Sequence, residues 1–132
     1  MTSKTNERAR RILLVEDADD VRDAFKMWLM QGGFDVIEAS NGGEAVELCQ
    51  REVPDLVITD LQMPGIDGIT AIKYIRRDER LREIPIVAIS AYGDWGMNLF
   101  LDIESFGTAP IEYFAKPVSF ESLGEVLKKL LP

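Results

Sequence analysis

The groups able to do chemistry in this chain are carboxylates, a serine and a lysine, each placed just after a short apolar run. Glu16-Asp17 follow Ile12-Leu13-Leu14-Val15, and Asp60 follows Leu56-Val57-Ile58-Thr59. Ser90 follows Ile86-Val87-Ala88-Ile89, and Lys116 follows Ile111 to Ala115 and precedes Pro117. The 132 residues include no histidine, which removes His general bases, His zinc ligands and a phosphohistidine relay on this chain. Like charges brought together raise one another's pKa unless a cation sits among them. Oxygen ligands without His or Cys favour Mg²⁺, with Mn²⁺ as a substitute. A hydroxyl and an ammonium facing such a cluster suit the equatorial oxygens of a phosphoryl group.

Those groups can meet only if the elements bearing them converge. The continuous apolar runs at 12–15, 56–58 and 86–89 have the pattern of strands buried on both faces, and 34–39 and 111–115 are strands of mixed character. Helical periods lie between them. Val21, Ala24, Phe25, Trp28 and Leu29 recur at helix spacing until Gly32-Gly33, and Ala45, Val46, Leu48 and Cys49 continue to Pro54. Ala71, Ile72 and Ile75 follow Gly68, and Leu123, Val126, Leu127 and Leu130 mark a last helix. Five strands alternating with five helices predict an α/β, doubly wound parallel sheet; with the flavodoxin-like order 2-1-3-4-5, strands one and three are neighbours. In such a sheet ligands collect at the carboxyl ends of the strands, where the winding reverses between strands one and three. Glu16, Asp17 and Asp60 are expected to share that pocket. Asp19, Asp20, Asp23 and Asp67 are expected to cap helices or face solvent.

Composition narrows the function classes. A net charge of −8 and a pI near 4.6 disfavour direct nucleic-acid binding, which needs clustered Lys and Arg. The basic start (Lys4, Arg8, Arg10, Arg11) reads as a flexible tail over residues 1–10, with one domain over 11–132. Cys49 is the single cysteine, so no intramolecular disulfide forms, and no apolar run is long enough for a membrane helix. A cytoplasmic location is expected, with no membrane partner.

Taken together, Leu13 to Asp17, Thr59-Asp60-Leu61-Gln62-Met63-Pro64-Gly65 with Asp67-Gly68, Ser90-Ala91, and Lys116-Pro117 resemble the receiver domain of two-component response regulators, from Arg11 to Leu131. The resemblance, closest to the stand-alone chemotaxis-regulator architecture, implies a phosphoacceptor switch rather than an enzyme, one that assists its own phosphorylation and dephosphorylation. It implies that Asp60 is the phosphoacceptor and ligates Mg²⁺ with Asp17, that Glu16 acts largely through water, and that the Gln62 backbone carbonyl completes the protein ligands. Lys116 would neutralise the phosphodonor, Ser90 would move to the phosphoryl oxygens, and Tyr113 would swing inward as the switch aromatic, with Phe114 the other aromatic in reach. The implied partners are a sensor histidine kinase or histidine phosphotransfer protein as donor and an effector protein reading the signal in trans. The expected oligomeric state is a monomer or weak dimer.

Three features depart from the family pattern. The acidic pair is Glu-Asp rather than Asp-Asp, and Ser90 replaces the commoner Thr. The stretch from Ala91 to Pro110 is several residues longer than usual, with Trp95, Leu99, Ile103 and Phe106 in one helical stripe. That 95–110 segment is expected either to fold its apolar groups under a longer loop or to offer them to a partner. An aspartyl-phosphatase reading would need Asp two residues after the nucleophile, where Gln62 stands, and a nucleotide or flavin carrier would need a Gly- or Ser/Thr-rich loop after the first strand. The remaining alternatives are a constitutive interaction module and a receiver cut from a larger regulator or hybrid kinase.

Overall fold

The apolar runs become strands, and the charged residues at their ends become the corners of the molecule. The computed structural model describes residues 9–62, 68–91 and 111–132. In chain order these form β1 (Arg11–Val15), α1 (Asp19–Gln31), β2 (Asp35–Ala39), α2 (Gly42–Glu52), β3 (Leu56–Asp60), α3 (Gly68–Arg77), β4 (Ile86–Ser90), β5 (Ile111–Ala115) and α4 (Phe120–Leu130). The sheet is parallel throughout, in the order β2-β1-β3-β4-β5. The expected α/β doubly wound architecture is present, with four helices among the described residues. The expected fifth falls, with the 95–110 segment, in a stretch outside them, as do Met63 to Asp67 and the first eight residues.

Alternation along each strand sends side chains to two separate cores. Leu13, Val15, Val57, Ile86 and Ala88 face α2 and α3, where Ala45, Cys49, Ile72 and Ile75 cover them. Ile12, Leu14, Leu56, Ile58, Val87 and Ile89 face α1 and α4 and meet Phe25, Leu29, Leu123 and Leu127. The middles of the central strands are therefore continuously apolar because each face is roofed by helices, with polar residues only toward their ends. Each fully buried Leu or Ile contributes about 1.5–3 kcal/mol through the area it removes from water. Cys49 is part of this packing, and burial pushes its thiol up to about 12, which makes it a core side chain and not a nucleophile. Ala24, expected in the apolar stripe of the first helix, is exposed instead. Phe25 and Leu29 alone among the five stripe residues are fully covered, because α1 meets the sheet on a narrow face. No described helix is long and apolar enough to cross a membrane.

Local signals set the element ends. Asn41 caps α2 by accepting from the Glu44 N–H, and the Glu44 carboxylate accepts from the Ser40 N–H in return. Ser119 caps α4 by accepting from the Ser122 N–H. Gly33, at φ 92°, makes the left-handed turn out of α1. Gly68 answers a different need. A Cβ there would lie 2.0 Å from the Asp60 carbonyl oxygen and 2.8 Å from the Leu61 Cα. Only a glycine lets the start of α3 press against the end of β3, where its N–H donates to the Leu61 carbonyl. Gly68→Ala must shift backbone on one side or the other, and overpacking of this kind costs about 2–3 kcal/mol. Urea denaturation should show that loss as a lowered midpoint; an unchanged midpoint would mean that the approach is not tight.

Candidate functional site

Parallel pairing places the ends of β1, β3, β4 and β5 side by side, so the residues after each strand meet at one edge of the sheet. Val15 pairs with Thr59, Asp60 with Ile89, and Ser90 with Ala115. Glu16, Asp60, Ser90 and Lys116 are thereby drawn together from positions spread over 100 residues of chain. Carboxylate oxygens of Glu16, Asp17 and Asp60 all lie within 4.8 Å of one another. Glu16 and Asp60 are buried at 5% exposure each, and Asp17 is exposed. This leaves the cluster open to solvent on the Asp17 side.

Lys116 is the counter-charge. Its Nζ donates to Asp60 Oδ2 at 2.6 Å and lies 3.7 Å from Glu16 Oε1. Burial pulls the ammonium pKa down, but the Asp60 hydrogen bond and the charges of Asp60 and Glu16 together outweigh that and raise it. One ammonium among three carboxylates leaves negative charge uncompensated. The strain shows at Glu16. Burial above all, with the Asp60 charge adding to it, pushes its pKa up to about 7, against the lowering effects of the Ala18 N–H and Lys116. A donor set of carboxylate oxygens that cannot all ionise comfortably, open to water on one side, fits a hard divalent cation that keeps several waters.

The surroundings hold these groups in place. The Asp60 carboxylate accepts from the Gln62 N–H through Oδ1 at 2.9 Å. Ser90, fully buried, donates from Oγ to Gln62 Oε1 at 3.0 Å. Arg22 donates from Nη1 to the Glu16 carbonyl at 2.8 Å and forms ion pairs with Asp19 and Glu38. Tyr113, paired with Ala88, packs half-buried on the α2–α3 side of the sheet, the face that alternation also assigns to Ser90. Phe114 packs into the opposite core. Beside Lys116 a groove of about 380 Å³ opens between Val21, Phe25, Pro117, Val118 and Phe120.

Glu16, Asp17, Asp60, Ser90 and Lys116 therefore sit at one edge, whereas Tyr113 and Phe114 lie within β5. The Arg22 guanidinium and the Gln62 side chain were not legible in the sequence. Arg22 stands on a solvated-looking helix face, and its position one turn into α1 from Glu16 is the one sequence signal it had. Gln62 was read for its backbone carbonyl alone.

With the geometry established, likeness to known proteins becomes informative. A family model described as "Response regulator receiver domain" matches residues 12–128. The "Polar-differentiation response regulator DivK" of Brucella anthropi is 30% identical over 123 residues, 92% of this chain and 96% of the relative. The receiver domain of a signal transduction histidine kinase from Syntrophus aciditrophicus superposes with a TM-score of 0.83 at 29% identity, covering 93% of this chain and 90% of that one. A receiver domain of a sensor histidine kinase from Pseudomonas aeruginosa PAO1, solved with a magnesium ion coordinated in its active site cleft, gives 0.81 at 28% identity, covering 93% and 98%.

The raised Glu16 pKa has a measurable consequence. The folded state keeps a proton on Glu16 between its ordinary value near 4.5 and about 7, whereas the unfolded state does not. Stability in metal-free buffer is then fully present below pH 4.5 and is lost as pH rises through 7, by about 3 kcal/mol at most. Glu38, Glu52 and Asp78 have lowered pKa values, so their contributions are lost only at more acid pH. Chemical denaturation across pH 4.5–8 should show the decline, and Glu16→Gln or added Mg²⁺ should flatten it. A flat wild-type profile would mean that Glu16 ionises freely in the folded protein.

Proposed function

We propose that this chain, which belongs to the response regulator receiver domain family, is a Mg²⁺-dependent switch of a two-component system in which Asp60 accepts a phosphoryl group from a phosphohistidine donor. The observation that carries this reading is the hydrogen bond from Lys116 Nζ to Asp60 inside a cluster with Glu16 and Asp17. A buried carboxylate with an ammonium at 2.6 Å is arranged to receive further negative charge, which a structural ion pair does not require.

The chemistry follows from where the charges lie. The Asp60 carboxylate attacks the phosphorus in line, a P–O bond forms, and the P–N bond to the donor imidazole breaks. The Gln62 N–H, on Asp60 Oδ1, holds the carboxylate in one orientation for that approach. Lys116 already contacts Asp60 Oδ2 and needs only a small shift to donate to an oxygen of the arriving group. Asp17 and Asp60, the Gln62 carbonyl, and Glu16 through water would hold the cation. A divalent cation bound there supplies charge neutralisation for the phosphoryl oxygens of donor and product.

The mixed anhydride that results carries oxygens able to attract the Ser90 hydroxyl. Movement of Ser90 leaves room on the face it shares with Tyr113, and an inward turn of that ring changes the surface beside β5. A partner protein reads that change, with the 95–110 segment as a candidate surface. Water attack on the anhydride, promoted by the same site, resets the switch, so the chain assists its own chemistry without turning over a separate substrate.

The apolar groove between Val21, Phe25 and Phe120 suits docking of the donor, because it is lined by Lys116, whose ammonium contacts Asp60. Incubation with acetyl phosphate and Mg²⁺ should yield one phosphoryl adduct by intact mass. Asp60→Asn should give none, and Lys116→Met should slow labelling by roughly 10²-fold or more. An adduct that persists in Asp60→Asn would sink the assignment and leave an interaction module. Phe120→Glu should keep acetyl phosphate labelling but cut transfer from a phosphohistidine protein at least ~10-fold, the scale of one lost apolar anchor. Equal losses with both donors would exclude a docking role.

A further inference from the structure

Gln62 is the side chain at this site whose bonds the phosphoryl chemistry leaves unused. Its Oε1 accepts from two donors, the Ser90 hydroxyl at 3.0 Å and the Ala91 N–H at 3.3 Å. The second of these settles which end of the amide faces β4, because a backbone N–H can only donate and the atom opposite it must be the carbonyl oxygen. The Nε2 end is then turned away, is buried, and meets no acceptor among the described residues. The residue as a whole is half-buried, with one end of its amide doubly engaged and the other covered but unpaired among the described residues.

The engaged end lies on the residue that has to move. Ser90 is fully buried, and its hydroxyl carries a single proton to donate. While that proton is given to Gln62 Oε1, it cannot be given to an oxygen on Asp60. The two bonds exclude each other, so their difference in free energy enters the switching equilibrium directly. Gln62 is also tied to Asp60 through its own backbone, since its N–H donates to Asp60 Oδ1. One residue thereby touches the acceptor carboxylate with its main chain and the switch hydroxyl with its side chain. The end of β4 is held on both sides of the Ser90–Ala91 peptide.

We infer that the Gln62 carboxamide is a latch that holds Ser90 and Ala91 in the resting position, so that phosphorylation must break the Ser90–Gln62 bond before the switch can turn. This inference rests on the phosphoacceptor reading of Asp60. The latch sets how much of the binding energy of a phosphoryl group is spent on moving β4, and hence how strongly the resting state is favoured. It is a positioning residue, acting through Ser90. Removing the acceptor while keeping side-chain length should release Ser90 and make the active arrangement easier to reach.

Beryllofluoride, which adds to an aspartate as a stable phosphoryl mimic, tests this at equilibrium by fluorine NMR titration in saturating Mg²⁺. Gln62→Met should bind it roughly 5- to 10-fold more tightly than the wild type, a range typical of coupling between two sites. In the Ser90→Ala background, where there is no hydroxyl to release, the same substitution should change affinity by less than about twofold. The Ala91 amide resonance of the wild type should move on beryllofluoride addition toward its position in Gln62→Met. Equal gains in both backgrounds, or weaker binding by Gln62→Met in the Ser90 background, would overturn the latch. Binding by none of the variants or the wild type would instead overturn the phosphoacceptor reading on which it rests.

Discussion

Three carboxylates held within 4.8 Å of one another repel, and the rest of this structure is arranged around keeping them there. Two are buried, which strengthens the repulsion because less water screens it. Lys116 meets Asp60 directly and Glu16 at longer range, but one positive charge does not balance three negative ones. At Glu16 burial above all, with the Asp60 charge adding to it, pushes the pKa up to about 7, so its carboxyl retains a proton near neutrality. The same imbalance makes the pocket receptive to a hard cation and, once a cation is present, to an anionic group. Affinity for charge and reluctance to ionise are two expressions of one electrostatic fact.

Holding such a pocket requires a scaffold that does not yield. Parallel β1, β3 and β4, apolar on both faces, place the strand ends in register, and two separate cores lock the helices against them. Close-packed interiors move between discrete arrangements rather than deforming smoothly. Gly68 shows the same principle on a smaller scale, since the absence of a side chain lets α3 touch the peptide that carries Asp60. Arg22 ties the Glu16 carbonyl to α1 and to the Glu38 carboxylate of β2. The loop that bears the acidic pair is thus anchored from two elements.

Against that rigidity, the side chains at the margin of the sheet are less tightly packed. β5 is an edge strand with half-buried or exposed side chains, Tyr113 among the half-buried ones. Ser90 is the exception, since it is wholly buried and held by hydrogen bonds at the end of a central strand.

Much of this was legible without coordinates. Apolar runs that alternate with amphipathic segments point to a parallel sheet roofed by helices, and such a sheet carries Glu16, Asp17, Asp60, Ser90 and Lys116 to a common edge. Strand ends are determined by where hydrophobicity stops, a property written residue by residue. What tertiary structure alone decided was which side chains meet once there. Alternation on β5, measured against the helix layers, separated Tyr113 from Phe114 and put Tyr113 on the face of Ser90. The contact between Gln62 and Ser90 joins residues 28 apart in sequence, and Arg22 reaches the Glu16 backbone carbonyl, a partner that side-chain types alone do not name. The exposure of Ala24 likewise depended on how α1 rolls on the sheet. Side-chain type and strand position are local quantities, whereas partner choice depends on distances between elements, and those are set only when the two cores close.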